Sequence, residues 1–119
     1  MYLAQQKNRL CTIQEISEWH QISKAHLVKI VHDLSRKGYI KSTQGKGGGI
    51  QLFKSASKIN LGEFVRNAEP NFNIVECFDE KNNTCKLKNN CKLKKCLYLA
   101  NKAFLDVLDQ YQLEDISSD

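Results

Sequence analysis

Thr43-Gln44-Gly45-Lys46-Gly47-Gly48-Gly49 is the stretch from which the rest of the chain can be read. It separates Tyr39-Ile40-Lys41-Ser42 from Ile50-Gln51-Leu52-Phe53. Those runs carry the β-branched and aromatic residues that short strands favour, so the spacing predicts a glycine-rich hairpin with a lysine at its tip. Glycines let a backbone lie close against a sugar-phosphate wall, and Lys46 can enter a minor groove or pair with phosphate. A nucleotide-phosphate loop is the rival reading. It fits less well, because the glycines follow neither a P-loop nor a dinucleotide fingerprint and no helix starts directly after them.

What precedes the hairpin supports the first reading. Thr12-Ile13-Gln14-Glu15 is a capping box, opening a helix to about Trp19 with Ile13, Ile16 and Trp19 inward. After the turn His20-Gln21-Ile22, Ser23 is a good N-cap for a second helix over 24–37. Leu27, Ile30, Val31 and Leu34 repeat at helical spacing as its inner face, and Gly38 stands where a helix end takes a left-handed residue. Two helices around a short turn followed by a strand hairpin make a winged helix-turn-helix. Ala25, Lys29, His32 and Arg36 form the opposite stripe. Ser23, Lys24, Ala25 and His26 lie at the end of the second helix that meets base edges in such units, while Lys29 and Arg36 suit phosphate. On the wing, Gln44, Lys46, Gly47 and Gly48 complete the candidate DNA surface. The bland alternative for the stripe is a solvated charged face.

Downstream, Asn60-Leu61-Gly62-Glu63 reads as a second capping box, for a short helix ended by Glu69-Pro70. Residues 71–91 are polar and interrupted by cysteines. From Lys92 a long helix begins, with Leu93, Leu97, Ala100, Phe104, Val107, Leu108 and Tyr111 on one near-heptad stripe. Such a stripe calls for a partner helix, and the same helix of a second copy would present two readers to a palindromic site. The fold class expected is therefore mainly α with a small β-hairpin: a winged helix-turn-helix plus a long C-terminal dimerisation helix. The organisation expected is a DNA-binding domain over 1–70, a cysteine loop over 71–91, and a dimerisation helix and tail over 92–119.

Five cysteines in 119 residues, with net charge +5 and 41% hydrophobic content, describe a globular chain suited to an anionic partner. Neither a signal-peptide order nor a run long enough for a membrane span is visible, which places the chain in the cytoplasm, where structural disulfides are rare. The cysteines then point to metal or redox chemistry. Seven residues separate Cys77 from Cys85, five separate Cys85 from Cys91, and four separate Cys91 from Cys96. No Cys-x-x-Cys pair supports zinc, although zinc stays possible. Bare-thiol redox chemistry is open, and an iron–sulfur cluster on a loop shielded by a helix fits. Cys11 reads as a structural buried thiol, and Cys96, at the edge of the apolar stripe, as a buried thiol that does not ligate, leaving Cys77, Cys85 and Cys91. No positioned nucleophile–base or acid–base pair suggests an enzyme.

With these parts in this order, the chain resembles the NsrR-like nitric-oxide-sensing repressors of the winged-helix iron–sulfur regulator family that includes IscR. The residues that carry the likeness are Ser23 with His26-Leu27-Val28-Lys29-Ile30, Leu34-Ser35-Arg36-Lys37-Gly38-Tyr39, Gly45-Lys46-Gly47-Gly48-Gly49-Ile50, Glu69-Pro70, Cys91-Lys92-Leu93-Lys94 and Phe104-Leu105. The resemblance implies a homodimeric repressor on a double-stranded DNA operator. It also implies a 2Fe-2S or 4Fe-4S cluster on Cys77, Cys85 and Cys91, with nitric oxide as the signal. Four departures stand out, the first being a Cys77–Cys85 gap longer than the family pattern. Lys94 occupies the position of the histidine ligand of IscR-type members, which points to the NsrR side. Gln44 stands where the wing usually has arginine. The family carries about one more helix upstream of Met1, so an N-terminal helix is expected to be missing. The alternatives are an iron–sulfur-status or thiol redox-sensing regulator, and a truncated metal-binding interaction module with impaired DNA binding.

Overall fold

The computed structural model describes residues 1–7, 9–69, 78–86 and 91–117. Pro70, Cys77 and Lys88 lie outside the described residues. The chain folds as a winged helix-turn-helix followed by a long helix, and it divides into two compact units. One is Met1–Ile59 with Gln112–Asp119, and the other is Asn60–Tyr111.

In the first unit, α1 (Tyr2–Gln5) leads into α2 (Ile13–His20) and α3 (Lys24–Arg36). The capping box forms as its sequence requires. Thr12 Oγ1 accepts from the Glu15 N–H at 3.0 Å, and Glu15 Oε1 accepts from the Thr12 N–H at 2.7 Å. Gln21 closes α2 in the left-handed region, and Ser23 then caps α3 by accepting from the His26 N–H at 3.1 Å. Past the end of α3, Gly38 takes φ +85°. The antiparallel hairpin pairs β1 (Ile40–Thr43) with β2 (Gly49–Leu52), Thr43 opposite Gly49 and Ile40 opposite Leu52. Each strand is displaced by one residue from its expected span, because the turn is tighter and Gly49 already pairs.

Cys11 bridges the other edge of β2, exchanging both backbone hydrogen bonds with Ile50 at 2.9 and 2.7 Å. A side chain at position 49 would place its first carbon 2.6 Å from the Cys11 carbonyl oxygen, so the approach of these two backbones demands glycine there. Cys11, Ile16, Leu27, Val31, Tyr39, Ile40, Ile50 and Ile59 form the core. Four expected members are missing from it: Ile13 and Leu34 are half-buried, and Trp19 and Ile30 are exposed. Trp19 is 71% exposed one residue before the end of α2, its indole set at a tilt against the Tyr2 ring with centroids 5.9 Å apart. Ile30 is 38% exposed, being turned roughly 80° around the helix from the Leu27–Val31 axis. A 3₁₀ turn (Ala56–Lys58) ends the reader, and the chain returns to it as α6 (Leu113–Ser117), a helix that the expected tail lacked. The Leu113 N–H donates to the Ile59 carbonyl at 2.8 Å.

In the second unit, α4 (Leu61–Ala68) packs on α5 (Lys92–Leu108). Asn60 caps α4 by accepting from the Glu63 N–H at 3.0 Å, while its own amide donates to the Asp109 carbonyl at 2.7 Å. Arg66 clasps the Asp109 carboxylate with both guanidinium nitrogens, which holds that carboxyl below its usual range.

Candidate nucleic-acid interface and cysteine centre

The winged unit brings the expected DNA residues to its surface. Ser23, Lys24, Ala25, His26, Lys29 and Arg36 are exposed on or beside α3, as are Gln44, Lys46 and Gly47 on the wing, and Gly48 is half-buried. The Ser23 hydroxyl is occupied as the cap of α3, which orients the first turn of the helix. Its N–H groups point outward there, an arrangement that favours anions. In the wing, Gly45 and Gly47 adopt φ +93° and +78°, with the Gly48 N–H donating to the Gly45 carbonyl at 3.0 Å. Those two conformations put Lys46 at the tip between glycines, and any other residue in their place would be strained.

Cations differ in how free they are. Among the described residues, Lys24, Lys29 and Lys46 have no carboxylate partner, whereas Arg36 lies 3.5 Å from Asp33. Lys37 takes the same carboxylate at 2.9 Å, and that hydrogen bond is the first cause of the lowered pKa of Asp33. Sequence reading missed Asp33, although its spacing of three and four to Arg36 and Lys37 is the readable signal for helix ion pairs.

The cysteines divide by environment. Cys11 is buried, as expected, and burial pushes its thiol up and away from reactivity. Cys85 is half-buried in a polar turn. Its N–H donates to Asn83 Oδ1 at 2.9 Å, and Asp79 accepts from the Lys81 N–H at 3.1 Å and from Asn82 Nδ2 at 2.7 Å. Cys91 is half-buried at the N-cap of α5, without a capping bond from its own side chain. The Cys91 side chain stands at the positive end of the helix dipole. Cys77 lies outside the described residues. Among the described residues no group of three or more His, Cys, Asp or Glu side chains converges to hold a metal ion. Cys96 is exposed rather than buried. The packed stripe of α5 runs through Lys94, Leu97, Asn101, Leu105 and Leu108, all half-buried, and Cys96 stands roughly 140° away from it.

The apolar stripe of α5 splits accordingly. Leu97 and Leu108 are half-buried, while Leu93, Phe104, Val107 and Tyr111 are 63%, 58%, 53% and 45% exposed. Tyr111 falls beyond the last residue of the helix. No helix among the described residues is long and apolar enough to cross a membrane.

Comparison with known proteins places these features. The profile of a family described as Rrf2, iron-dependent transcriptional regulator, matches residues 1–119. The HTH-type transcriptional regulator NsrR of Bacillus licheniformis is 46% identical over 109 residues, covering 92% of this chain and 76% of that protein. Among solved structures, CymR, the global cysteine regulator of B. subtilis, superposes with a TM-score of 0.75 at 24% identity, covering 99% of this chain and 88% of that one. IscR of T. potens does so with a TM-score of 0.71 at 24% identity, covering 96% of this chain and 74% of that one.

Proposed function

The chain belongs to the Rrf2 family of iron-dependent transcriptional regulators, and from that premise we propose that it is a cytoplasmic repressor sensing nitric oxide through an iron–sulfur cluster. That it is a DNA-binding transcriptional regulator, and not an enzyme, follows from the family and from its NsrR relatives. The observation that carries the finer reading is the presence, in one chain, of an exposed cationic reader and of Cys91 at the mouth of α5.

On the DNA side, Ser23, Lys24, Ala25 and His26 meet base edges in the major groove. Lys29 and Arg36 meet phosphates, and Gln44, Lys46, Gly47 and Gly48 lie along the minor groove. Two copies joined through the exposed seam of α5 would offer two α3 helices to a palindromic operator. On the sensing side, Cys77, Cys85 and Cys91 would hold a 2Fe-2S or 4Fe-4S cluster. The described donors suit such a group: Cys85 and Cys91 are half-buried thiols, Cys91 at a helix N-terminus, with Lys86, Lys92, Lys94 and Lys95 nearby in the chain to offset the charge of an all-sulfur site. Bound there, the cluster supplies iron open to attack by nitric oxide. Cys91 is the N-cap of the helix that carries the seam residues Phe104 and Val107. The bonding state of Cys91 and the geometry of the dimer thus bear on the same rigid element.

The test is anaerobic purification followed by visible absorption, iron and sulfide content and operator binding, before and after nitric oxide. Cys85→Ser and Cys91→Ser should each lose the cluster and the nitric oxide response together. An unchanged response in either variant overturns the proposal. A thiol redox regulator is the second reading, favoured by the exposure of Cys96. Peroxide-driven operator release that survives Cys85→Ser and is lost in Cys96→Ser would select it.

A further inference from the structure

We propose that Ala25 and Val28 form a small apolar reading surface on α3 that recognises the 5-methyl groups of thymine in the major groove, with Val28 as its specificity-determining residue. The inference rests on the DNA-binding reading above and deepens it. Val28 is 48% exposed in the first half of the helix whose inner face is Leu27 and Val31. It is turned roughly 80° from that inner axis and stays open to solvent. Helix propensity does not account for it either, since a β-branched residue on an open helical surface is a poorer choice than alanine.

Its surroundings identify the occupant. On the surface of α3 the neighbours of Val28 are Lys24 four residues before, Ala25 three before and His32 four after, all exposed. Lys29 and Arg36 continue the same exposed side. A valine and an alanine set between Lys24 and His32, with Lys29 and Arg36 farther round the exposed side, make a poor seat for another protein's apolar patch. They match a surface that is anionic at its walls and carries isolated methyl groups on its floor. The major groove of duplex DNA has that chemistry: phosphates at the rim, and at each thymine one methyl as the only apolar group on the base edge. The first turn and a half of a recognition helix is the part that reaches those edges, and Ala25 and Val28 both lie within it. The half-site is therefore expected to carry thymine at one or two adjacent steps facing this patch.

The test removes the methyl from the DNA, leaving the protein intact. Duplexes are selected from a random pool with the full chain, and each thymine of the enriched half-site is replaced singly by deoxyuridine. Wild-type protein should lose about fourfold in affinity at one or two of those positions, the weight of one buried methyl. Val28→Ala should bind the unmodified duplex more weakly and become indifferent to uracil at one of them. Ala25→Ser should do the same at its neighbour, and Val28→Thr, which keeps one methyl, should retain part of the sensitivity. Circular dichroism should show all three variants as helical as the parent, since neither site is in the core. Indifference of the wild type to uracil at every thymine, or an undiminished uracil effect in Val28→Ala, overturns the inference while leaving DNA binding standing. A pool in which nothing is enriched overturns both.

Discussion

The reader and the unit that carries the cysteines are built on different principles. The buried apolar side chains Cys11, Ile16, Leu27, Val31, Tyr39, Ile40, Ile50 and Ile59 all belong to the first unit. In the second, Gly62 is the one buried residue among those described, and Leu61, Phe64, Val65, Leu97, Leu105 and Leu108 are half-buried. Polar ties do more of the joining there: Arg66 with Asp109, and Asn60 with the Asp109 carbonyl. At the same time α5 leaves Leu93, Tyr98, Leu99, Phe104 and Val107 open to solvent. A recognition surface has to be rigid before DNA arrives, and a closed core supplies that rigidity. The sensing role proposed for the second unit requires a change of association or bonding, and a half-closed unit with spare apolar surface is suited to that.

The largest effect expected from this contrast is in the reader. Ile50 is 4% exposed and joins the hairpin to the Cys11 bridge. Ile50→Ala should lower unfolding stability by about 2–5 kcal/mol, through lost burial and the cavity left behind. Leu97→Ala, at a half-buried site on the packed face of α5, should cost about 1 kcal/mol. Chemical denaturation of the two variants measures the contrast directly, and equal losses would break it.

The next effect concerns the exposed seam. Phe104→Glu puts a charge where a second copy is proposed to pack. It should raise the dimer dissociation constant roughly 30-fold or more, the weight of a hot-spot residue. Sedimentation equilibrium reads this, and circular dichroism should stay unchanged because Phe104 supports no core within its own chain. An unaltered dimer in this variant would move the interface off α5.

How legible each region was follows from the same contrast. Helix starts and the hairpin are local devices. Thr12-x-x-Glu15, Ser23 and the glycine run announce themselves, because the partner of each group lies within a few residues. Trp19 and Ile30 were misplaced because a helical wheel cannot tell an inward residue from one on the flank of a short helix; only the neighbouring elements decide. Cys96 was misplaced for a related reason. It borders the apolar stripe that stays exposed, and which stripe of α5 packs is set by α4, twenty-four or more residues upstream. The Arg66–Asp109 tie spans 43 residues and leaves no local trace. Helix α6 is short and weakly patterned, and its Leu113 is fixed by a backbone bond to Ile59, again a long-range partner. At the candidate site, the exposure of the cations on α3 and the wing was readable from spacing, and the pairing of Asp33 was readable but overlooked.

A smaller effect tests the wing. Lys46 is exposed between two left-handed glycines, with no carboxylate partner among the described residues. Lys46→Ala should weaken all duplexes alike by roughly fivefold and make the salt dependence shallower by about one counterion. Lys29→Ala should behave in the same way. A changed sequence preference in either variant would mean that the residue reads bases and does not touch phosphate.

The smallest effect is one of pH, and it probes the polar network at the start of the reader. Arg9 donates to the Glu15 carboxylate at 2.9 Å, Tyr2 donates its hydroxyl to the same oxygen at 3.0 Å, and the Thr12 N–H donates to the other. The Arg9 hydrogen bond is the first cause and the Thr12 N–H the second of a Glu15 pKa lowered from 4.5 to about 2. A carboxyl whose folded pKa lies below its unfolded one stabilises the fold fully above the unfolded value. That contribution fades as the pH falls from 4.5 towards about 2 and is gone below it. The Arg9 and Glu15 side chains are 49% and 28% exposed, so solvent screening keeps the contribution modest. Glu15→Gln keeps one acceptor oxygen for the Thr12 N–H and removes the charge together with the second acceptor, which Arg9 and Tyr2 share. Its melting temperature should therefore lie below that of the parent by a constant gap near neutral pH, and the gap should close through the acid window. A gap that persists unchanged to the bottom of that window would assign Glu15 to the cap alone, and one that closes already near pH 6, at roughly the histidine range, would assign the titration to another group.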